Sequence, residues 1–282
     1  MHLITKSSGW GRKKMQNSAR TFFFAKTIPE LFYQLKSVAG LQAAGGCTRL
    51  DNNADKVISI RGIPDLAVIS KHERYLDCGP GVTLSSIIEL ARARVPEIFL
   101  EAIQSIANPF VRNIATLGGS ICARGIKSTV YAPLLALDTR IEFHSQTNAT
   151  YVPLINFTEI PHGAILTNIR IPLSEWDIAV FRRLGPQHMI TDTSASFVFL
   201  ADTEKNAITN IKLAFAGPIS LRCLEFENRL IGTRLPLSPK DIIMRVEMAV
   251  KQFDKAAEGQ NCNSMLREQF INLTRYSLEQ LT

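Results

Sequence analysis

The sequence predicts a mixed α+β protein in which an α/β unit comes first and a separate α+β domain comes last. Two observations carry this prediction. The first eighty or so residues alternate short apolar strands with one amphipathic helix, and past Trp176 a run of strands is followed by a run of helices. Alternation favours a parallel sheet, whereas strands followed by helices are typical of a separate α+β domain. We therefore place a domain boundary near residues 172–177.

The first unit begins with a short strand at Phe22-Phe23-Phe24. Pro29 suits the first turn of a helix whose apolar face carries Leu31 and Leu35. Four strand patterns follow, "LQAAGG", "KVISI", "DLAVIS" and "YLDCGPG", before a helix that Thr83 caps in "TLSSIIELARAR". The strand–helix–strand order favours parallel pairing.

The rest of the chain divides into a second subdomain and the C-terminal domain. From Pro96 to Pro133 the pattern is a helix, an irregular segment and a helix, and "TRIEF", "YVPL" and "AILTNIRIP" then supply strands. We expect subdomains at about 20–78 and 79–173. In the last domain, 177–282, "AVFRRLG", "SASFVFLAD" and "AITNIKLAFAG" predict a three-stranded antiparallel sheet. Helices are expected near 221–231, 239–253 and 263–279.

The basic charge is concentrated at the N-terminus. The chain has 282 residues, of which 46% are hydrophobic and 20% charged, and this is the composition of an ordinary globular protein. Five basic residues and no acidic one lie in the first twenty: Lys6, Arg12, Lys13, Lys14 and Arg20. The remainder is nearly neutral and has no Lys/Arg stripe interleaved with aromatics, which argues against nucleic-acid binding. Residues 1–19 are predicted to be a disordered basic tail, with Met15 a second candidate start.

The pattern of cysteines and histidines predicts no metal site on this chain. The five cysteines show no CxxC spacing: Cys47, Cys78, Cys122, Cys223 and Cys262. Zinc and iron–sulfur sites need several thiolates at short spacing. The five histidines show no HxxxH and no Ser/His/Asp grouping, so hydrolytic chemistry has no support. Scattered thiols, no secretory signal and no long apolar run predict a soluble, cytoplasmic protein without a membrane segment.

Two doubled glycines are the candidate ligand-binding features. "AAGGCTRL" (Ala43–Leu50) and "VRNIATLGGSICARG" (Val111–Gly125) each place Gly-Gly after a small or apolar run, with Thr48 and Ser120 following. Glycine lets a ligand approach the backbone because no Cβ intervenes, and successive N–H groups form a nest suited to phosphate oxygens. One doubled glycine is more often only a turn. The two together predict loops that converge on one diphosphate.

A third glycine stretch, "GPGVTL" (Gly79–Leu84), mimics the start of a dinucleotide fingerprint between a strand and a helix. Leu84 stands where the third glycine belongs, and no acidic residue ends a following strand at the expected distance. We interpret the stretch as a tight turn followed by a helix that Thr83 caps.

These segments, with "APLLALDTRIEF" and "LRCLEFENRLIG" further along, resemble in order and spacing the FAD-binding subunits of molybdenum hydroxylases of the xanthine dehydrogenase and carbon monoxide dehydrogenase types. The resemblance covers about residues 20–282, and "VRNIATLGG" is its most specific motif. It implies a vanillyl-alcohol oxidase-type (PCMH-like) FAD-binding module of two subdomains over 20–173. A small α+β domain would follow over 177–282.

The resemblance also implies non-covalent FAD with its diphosphate held by both glycine loops, and it identifies no catalytic residue. The implied contacts are Leu41, Gln42, Ala43, Ala44, Gly45, Gly46, Cys47, Thr48, Thr116, Leu117, Gly118, Gly119 and Ser120, with Leu166 and Arg182 near the flavin or its adenine end. Arg182 would support negative charge on reduced flavin. Without the resemblance, Leu166 is a core leucine and Arg182 a surface arginine.

The function that the resemblance implies is electron transfer. Molybdopterin would lie in a large partner subunit and two [2Fe–2S] clusters in a small one, and FAD on this chain would pass electrons to NAD⁺ or another acceptor. The chain alone would then oxidise no substrate. Two alternatives stay open: a degenerate scaffold subunit with weak or no FAD binding, and a stand-alone flavoprotein reductase of the same superfamily, such as a cell-wall precursor reductase.

The chain departs from the family pattern at three points. Cys47-Thr48 replaces the usual Thr-Asp, Ser120 replaces Asn, and "ARGIKSTVYAP" lacks the acid of the usual Ser-Pro-x-Ser-Asp segment. The cofactor hydroxyls would then be met by Ser128, Thr129 or the backbone. The missing acid supports the scaffold alternative, whereas the retained glycine pairs argue against it. The Cys47 thiol is expected to be buried and inert.

Overall fold

The computed structural model describes residues 20–50, 54–90, 95–187 and 189–282. Across these ranges the protein contains three β-sheets with helices between and around them, so the predicted α+β class is confirmed. The predicted disordered tail, 1–19, lies outside the described residues. In the part that is described, no helix has the length and apolar character to cross a membrane.

A three-stranded parallel sheet with strand order β1-β3-β2 forms the N-terminal unit. Its elements are β1 (Thr21–Phe24), α1 (Ile28–Ser37), β2 (Leu41–Ala44) and β3 (Lys56–Ser59). Helix α1 begins where predicted, because the Thr27 side chain accepts a hydrogen bond from the Glu30 N–H and Pro29 occupies the first turn. Leu31 is fully buried against the sheet. Both strand pairings are parallel, which confirms the strand–helix–strand interpretation.

A five-stranded antiparallel sheet with strand order β4-β5-β8-β6-β7 forms the second unit. Its strands are β4 (Ile69–Lys71), β5 (Tyr75–Cys78), β6 (Arg140–His144), β7 (Ala149–Pro153) and β8 (Ile165–Pro172). The sequence analysis placed the segment of β4 and β5 in the first subdomain, but β5 pairs with β8 and buries Leu76 in the second core. Long-range pairing decides which sheet a short strand joins. The sheets therefore divide before Ile69 rather than at residue 78.

Between β5 and β6, leaving aside residues 91–94, which are not described, lie five short helices. They are α2 (Leu84–Leu90), α3 (Glu97–Gln104), α4 (Pro109–Arg112), α5 (Leu117–Cys122) and α6 (Tyr131–Ala136). Buried residues of α2, α3, α5 and α6 share one core with β5, β6 and β8. Helix α5 begins at the second doubled glycine, of which Gly118 is buried and Gly119 is exposed.

The C-terminal domain is a four-stranded antiparallel sheet, in the order β12-β11-β10-β9, with three helices. Its elements are β9 (Ile178–Leu184), β10 (Ala195–Glu204), β11 (Ala207–Ala216), β12 (Ser220–Arg222), α7 (Leu224–Leu230), α8 (Pro239–Ala257) and α9 (Ser264–Glu279). The prediction of three strands is wrong by one, and the helix expected from residue 221 begins at Leu224. The reason is that 220–222 pair with β11 as a fourth strand, which is shorter than a recognisable strand pattern.

Helix α6 joins the two domains into one packed body. All of its residues are buried, and Phe181 of β9 and Val198 of β10 belong to the same apolar cluster. Arg222 of β12 also crosses the domain boundary: it donates to the Leu135 carbonyl oxygen at 2.7 Å and to the Asp138 carboxylate at 2.8 Å. The C-terminal domain is therefore packed directly on the unit that carries the second doubled glycine.

Candidate functional site

The first glycine loop, residues 45–48, continues from the end of β2 and contacts the chain that leads into the second doubled glycine. A Cβ on Gly45 would lie 2.1 Å from Thr116 Oγ1, and a Cβ on Gly46 would lie 1.8 Å from the Ile114 carbonyl oxygen. Neither distance is compatible with a side chain. The two glycine stretches therefore lie against each other: the Thr116 side chain excludes a Cβ at Gly45, and the Ile114 backbone excludes one at Gly46. That the two loops converge on one diphosphate stays a prediction.

The first glycine loop presents open hydrogen-bond donors. The N–H groups of its four residues, Gly45 to Thr48, donate to no acceptor within the part of the chain that the structure describes. Cys47 has a left-handed φ of 55°, and both Cys47 and Thr48 are exposed. A left-handed residue within a run of open amides is one arrangement that builds an anion-binding nest. This loop can therefore bind phosphate oxygens through its backbone.

The second glycine loop, residues 116–120, differs because the amides of residues 117–120 already have acceptors. The bonds are Leu117 N–H to Val82 O (2.9 Å), Gly118 N–H to Pro80 O (3.0 Å), Gly119 N–H to Thr116 Oγ1 (3.1 Å) and Ser120 N–H to Thr116 O (3.0 Å). The Ser120 hydroxyl also donates to Thr116 O, at 3.0 Å, and faces its own helix. The N–H groups of residues 117–120 are therefore not free to bind a ligand, and the second glycine loop packs against the first one.

The turn Gly79–Gly81 is the surface on which the second glycine loop rests. A Cβ on Gly118 would lie 2.5 Å from Pro80 Cβ and 2.8 Å from the Pro80 carbonyl oxygen. The interpretation of "GPGVTL" as a turn is confirmed, and Thr83 caps α2 by accepting from the Ser86 N–H at 3.1 Å. Sequence reasoning missed that this turn packs against Gly118. The sequence feature that could have predicted this contact is that both Gly79–Gly81 and the second glycine loop are turns of small residues at the ends of apolar segments.

Two basic side chains, which we call the cation pair, lie beside the first glycine loop: Arg49 and Lys127. Arg49 Nη2 donates to the carbonyl oxygen of Ile126, which ties the end of the first loop to the segment that lacks the family's acid. Lys127 Nζ lies 4.8 Å from the centre of the Tyr131 ring. Burial lowers the pKa of both cations, and for Lys127 the nearby charge of Arg49 lowers the pKa further. Sequence reasoning did not single out either residue.

The Cys47 thiol lies on the exposed side of the first glycine loop, so the expectation of a buried thiol is wrong. Partial desolvation raises the pKa of the Cys47 thiol, although the charge of Arg61 acts in the opposite direction. A thiol with a raised pKa is a weak nucleophile at neutral pH, which agrees with the expectation that it is inert.

No described contact joins Leu166 or Arg182 to these loops. Leu166 is a buried core residue of β8, exposed by only 6%. On β9, Val180 and Leu184 face the core under α8 and α9, and Arg182 shares their side of the strand. Its guanidinium lies 5.9 Å from the Tyr276 ring of α9. The Arg182 side chain is exposed, in agreement with the interpretation of a surface arginine.

The other expected contacts are placed as follows. Leu41, Gln42, Ala43 and Ala44 form β2 and lead directly into the first glycine loop. Ser128 is buried and Thr129 is half-buried in the segment to which Arg49 is tied. Among the described residues, no group of three or more His, Cys, Asp or Glu side chains is arranged to hold a metal ion.

Comparisons with known sequences agree with this geometry. Residues 21–174 match the model of a family described as the FAD binding domain in molybdopterin dehydrogenase. The chain is 32% identical over 198 residues to an indole-3-acetaldehyde oxidase of Zea mays, covering 64% of this chain and 14% of that protein. It is 29% identical over 207 residues to a putative xanthine dehydrogenase FAD-binding subunit of Escherichia coli, covering 66% of this chain and 68% of that protein. A 6-hydroxypseudooxynicotine dehydrogenase complex subunit alpha of Paenarthrobacter nicotinovorans is 27% identical over 211 residues, with 70% of each chain covered.

Solved structures share the fold over nearly the whole chain. A chain of the carbon monoxide dehydrogenase of Hydrogenophaga pseudoflava superposes with a TM-score of 0.76 at 16% identity, covering 93% of this chain and 95% of that one. A chain of quinoline 2-oxidoreductase from Pseudomonas putida 86 gives a TM-score of 0.73 at 16% identity, with the same coverage. At such identities the likeness shows the fold, and it shows no activity. The chain spans 14% of the length of the first of its curated relatives.

Proposed function

The chain belongs to the family of FAD-binding domains of molybdopterin dehydrogenases, and from this we propose that it is the FAD-binding electron-transfer subunit of a multi-subunit molybdenum hydroxylase. The observation that carries the proposal is the first glycine loop, whose four amides are open and lie against the chain leading to the second doubled glycine. We further propose the two-subdomain vanillyl-alcohol oxidase-type (PCMH-like) arrangement for residues 20–173, with the α+β domain over 177–282.

The residues of the first glycine loop fit a diphosphate. Its N–H groups are unpartnered within the described chain, and no side chain occupies Gly45 or Gly46. Hydrogen bonds from backbone N–H groups to an anionic oxygen are charge-assisted and stronger than those between neutral groups. We propose that residues 45–48 hold the diphosphate of non-covalent FAD and that β2, residues 41–44, positions them.

The second glycine loop takes a supporting role in this proposal. Thr116 fixes the path of Gly45, and Gly118 rests on Pro80, so residues 116–120 line the site and set the shape of the first loop. The amides of residues 117–120 would have to leave their present acceptors to bind phosphate. Arg182 lies on the side of β9 that faces α9, and its contact with the flavin or its adenine end stays a prediction from the resemblance.

When bound, FAD supplies the redox chemistry, because the flavin can accept and release electrons. This chain then binds and orients the cofactor between partner chains. We propose that a molybdenum-cofactor large subunit and a [2Fe–2S] small subunit are those partners, and that NAD⁺ or another acceptor takes the electrons. The similarity to a relative named as a subunit of a dehydrogenase complex supports a role within an assembly.

The test is to purify the full chain without flavin and titrate it with FAD, following flavin fluorescence and the absorbance near about 450 nm that oxidised flavin is expected to show. We expect saturable binding of one FAD that acid releases intact, since the proposed contacts are non-covalent. A chain that takes up no FAD but assembles with its partners would support the scaffold alternative. A chain that oxidises a reduced nicotinamide with a small-molecule substrate and no partner would support the stand-alone reductase.

A further inference from the structure

The cation pair is the feature of this molecule that neither the family pattern nor the glycine loops explain. Arg49 follows directly on the first glycine loop, and Lys127 follows directly on Ile126, whose carbonyl oxygen accepts from Arg49. The two charges are close enough to act on each other. Like charges brought together in a partly desolvated place destabilise one another unless an anion lies near them.

Among the described residues, no carboxylate forms an ion pair with Arg49 or Lys127. The described ion pairs include neither Arg49 nor Lys127, and burial lowers the pKa of both. Described ion pairs elsewhere in the molecule, such as Arg170 with Asp77 at 2.8 Å, show the arrangement that is missing here.

A purely structural role accounts for only part of the Arg49 side chain. One arm of the guanidinium, Nη2, donates to the Ile126 carbonyl oxygen, but Nη1 is buried and has no hydrogen-bond partner among the described residues. Leaving a buried charged donor unsatisfied is costly, and a planar guanidinium is well matched to a phosphate group. Lys127 is held in place at both ends, by its N–H on the Gly217 carbonyl oxygen at 2.7 Å and by its ammonium over the Tyr131 ring.

We propose that Arg49 and Lys127 form a side-chain anion site next to the open amides of the first glycine loop, and that this site takes the diphosphate of the bound dinucleotide. The inference rests on the proposed function and deepens it. In this chain, side-chain charge would add to the backbone contacts. The segment 123–130, which lacks the family's acid, would then contribute a cation to the diphosphate and only the Ser128 and Thr129 hydroxyls to the sugar.

The test measures binding to the full chain by titration calorimetry. Four probes separate the parts of the ligand: FAD, ADP, inorganic pyrophosphate and riboflavin, of which only the last lacks phosphate. The variants are Arg49→Gln and Lys127→Gln. The matched control is Arg229→Gln, which removes the same charge from an exposed arginine paired with Glu225 on α7.

We expect each test variant to bind FAD, ADP and pyrophosphate about ten- to a hundredfold more weakly than the wild type, as for loss of a hydrogen bond between charged groups. The affinity for riboflavin should not change, and Arg229→Gln should bind like the wild type. Raising the salt from about 50 to 500 mM should weaken FAD binding by the wild type more than by the test variants, because salt screens the charge that they lack.

The other possible outcomes distinguish failure of the anion site from failure of the proposed function. Wild-type affinity for FAD in a folded Arg49→Gln chain, with unchanged salt dependence, would overturn the anion site and leave the proposed function standing. If Arg49→Gln fails to fold, Lys127→Gln and Arg49→Lys decide, since the latter keeps the charge and must retain most of the affinity. Binding of pyrophosphate but not of FAD would overturn the proposed function alone, and binding of neither would overturn both.

Discussion

Gly118 and Gly119 are neighbours in the chain but meet different surroundings. A Cβ on Gly118 would overlap the side chain and backbone of Pro80, whereas a Cβ on Gly119 would meet only Thr116 Oγ1, at 3.0 Å. We expect Gly118→Ala to destabilise the protein by about 1–3 kcal/mol through overpacking. For Gly119→Ala we expect little change, because the gain in helix propensity of up to about 1 kcal/mol offsets the tight contact.

Urea denaturation of both variants, followed by circular dichroism, measures the difference in the free energy of unfolding. Gly119→Ala is the control, because it adds the same methyl group one residue further along α5. Equal loss of stability in the two variants would contradict the packing role of Gly118.

The doubled glycines could be recognised from sequence because glycine at the end of an apolar run indicates either a turn or a close approach. Which atom approaches is a different matter. Gly46 meets the Ile114 carbonyl oxygen and Gly118 meets Pro80, and both partners are distant in the chain. A local pattern shows that a Cβ is excluded but not which atom takes its place. A glycine that makes room for a ligand and a glycine that makes room for another part of the chain therefore look identical in sequence.

Among the secondary-structure elements, the joint between β12 and α7 depends on a buried ion pair. Arg222 and Glu227 have side chains only 2% and 4% exposed, and Glu227 also accepts from the Leu213 N–H at 2.9 Å. We expect Arg222→Met to cost about 3–5 kcal/mol of the free energy of unfolding, because it leaves the Glu227 carboxylate buried without its partner.

A double-mutant cycle with Glu227→Leu tests this, with each free energy of unfolding measured in urea. The double variant should be more stable than the sum of the two single losses predicts, because it removes both charges together. Strictly additive losses would show that the pair is not coupled.

The sides of β9 show why the placement of Arg182 could not be predicted from the residues. In a strand with one buried side, alternation shows which residues face outward. Here Val180 packs on one side and Phe181 on the other, and the neighbouring segment 195–201 of β10 is buried throughout. A strand covered on both sides shows no alternation of apolar and polar residues in its sequence. Only the tertiary structure therefore shows that Arg182 lies on the side of β9 that faces α9.

For the molecule as a whole, Asp138 links the two domains and makes their contact sensitive to pH. Burial alone would raise the pKa of Asp138, but Arg222 and Lys212 outweigh it and hold the pKa below the ordinary value. A carboxylate with a lowered pKa in the folded state adds stability above an unfolded pKa of about 3.9, and this contribution is lost as the pH falls through the folded value. We therefore expect the urea concentration at the midpoint of unfolding to decrease as the pH is lowered from about 5 to about 3.

Asp138→Asn is the matched variant, because asparagine also tolerates the left-handed φ of 54° at this position. It should be less stable than the wild type at pH 7 and should lose less on acidification. Some acid sensitivity should persist: at Asp77, too, burial acts to raise the pKa, but Arg170 outweighs it and lowers the pKa. Equal slopes for both proteins would contradict the role assigned to Asp138.

The contact of Gly45 with Thr116 and of Gly46 with Ile114 has a kinetic consequence. The glycines and their partners cannot move apart without loss of the packing that holds both loops, so the first glycine loop has its shape before any ligand arrives. A ligand then enters in a single step with no hinge to open, and in stopped-flow experiments the observed rate of FAD association should rise in proportion to FAD concentration. An observed rate that levels off at high FAD concentration would indicate an opening step, and the first glycine loop would then take its binding shape only when FAD binds.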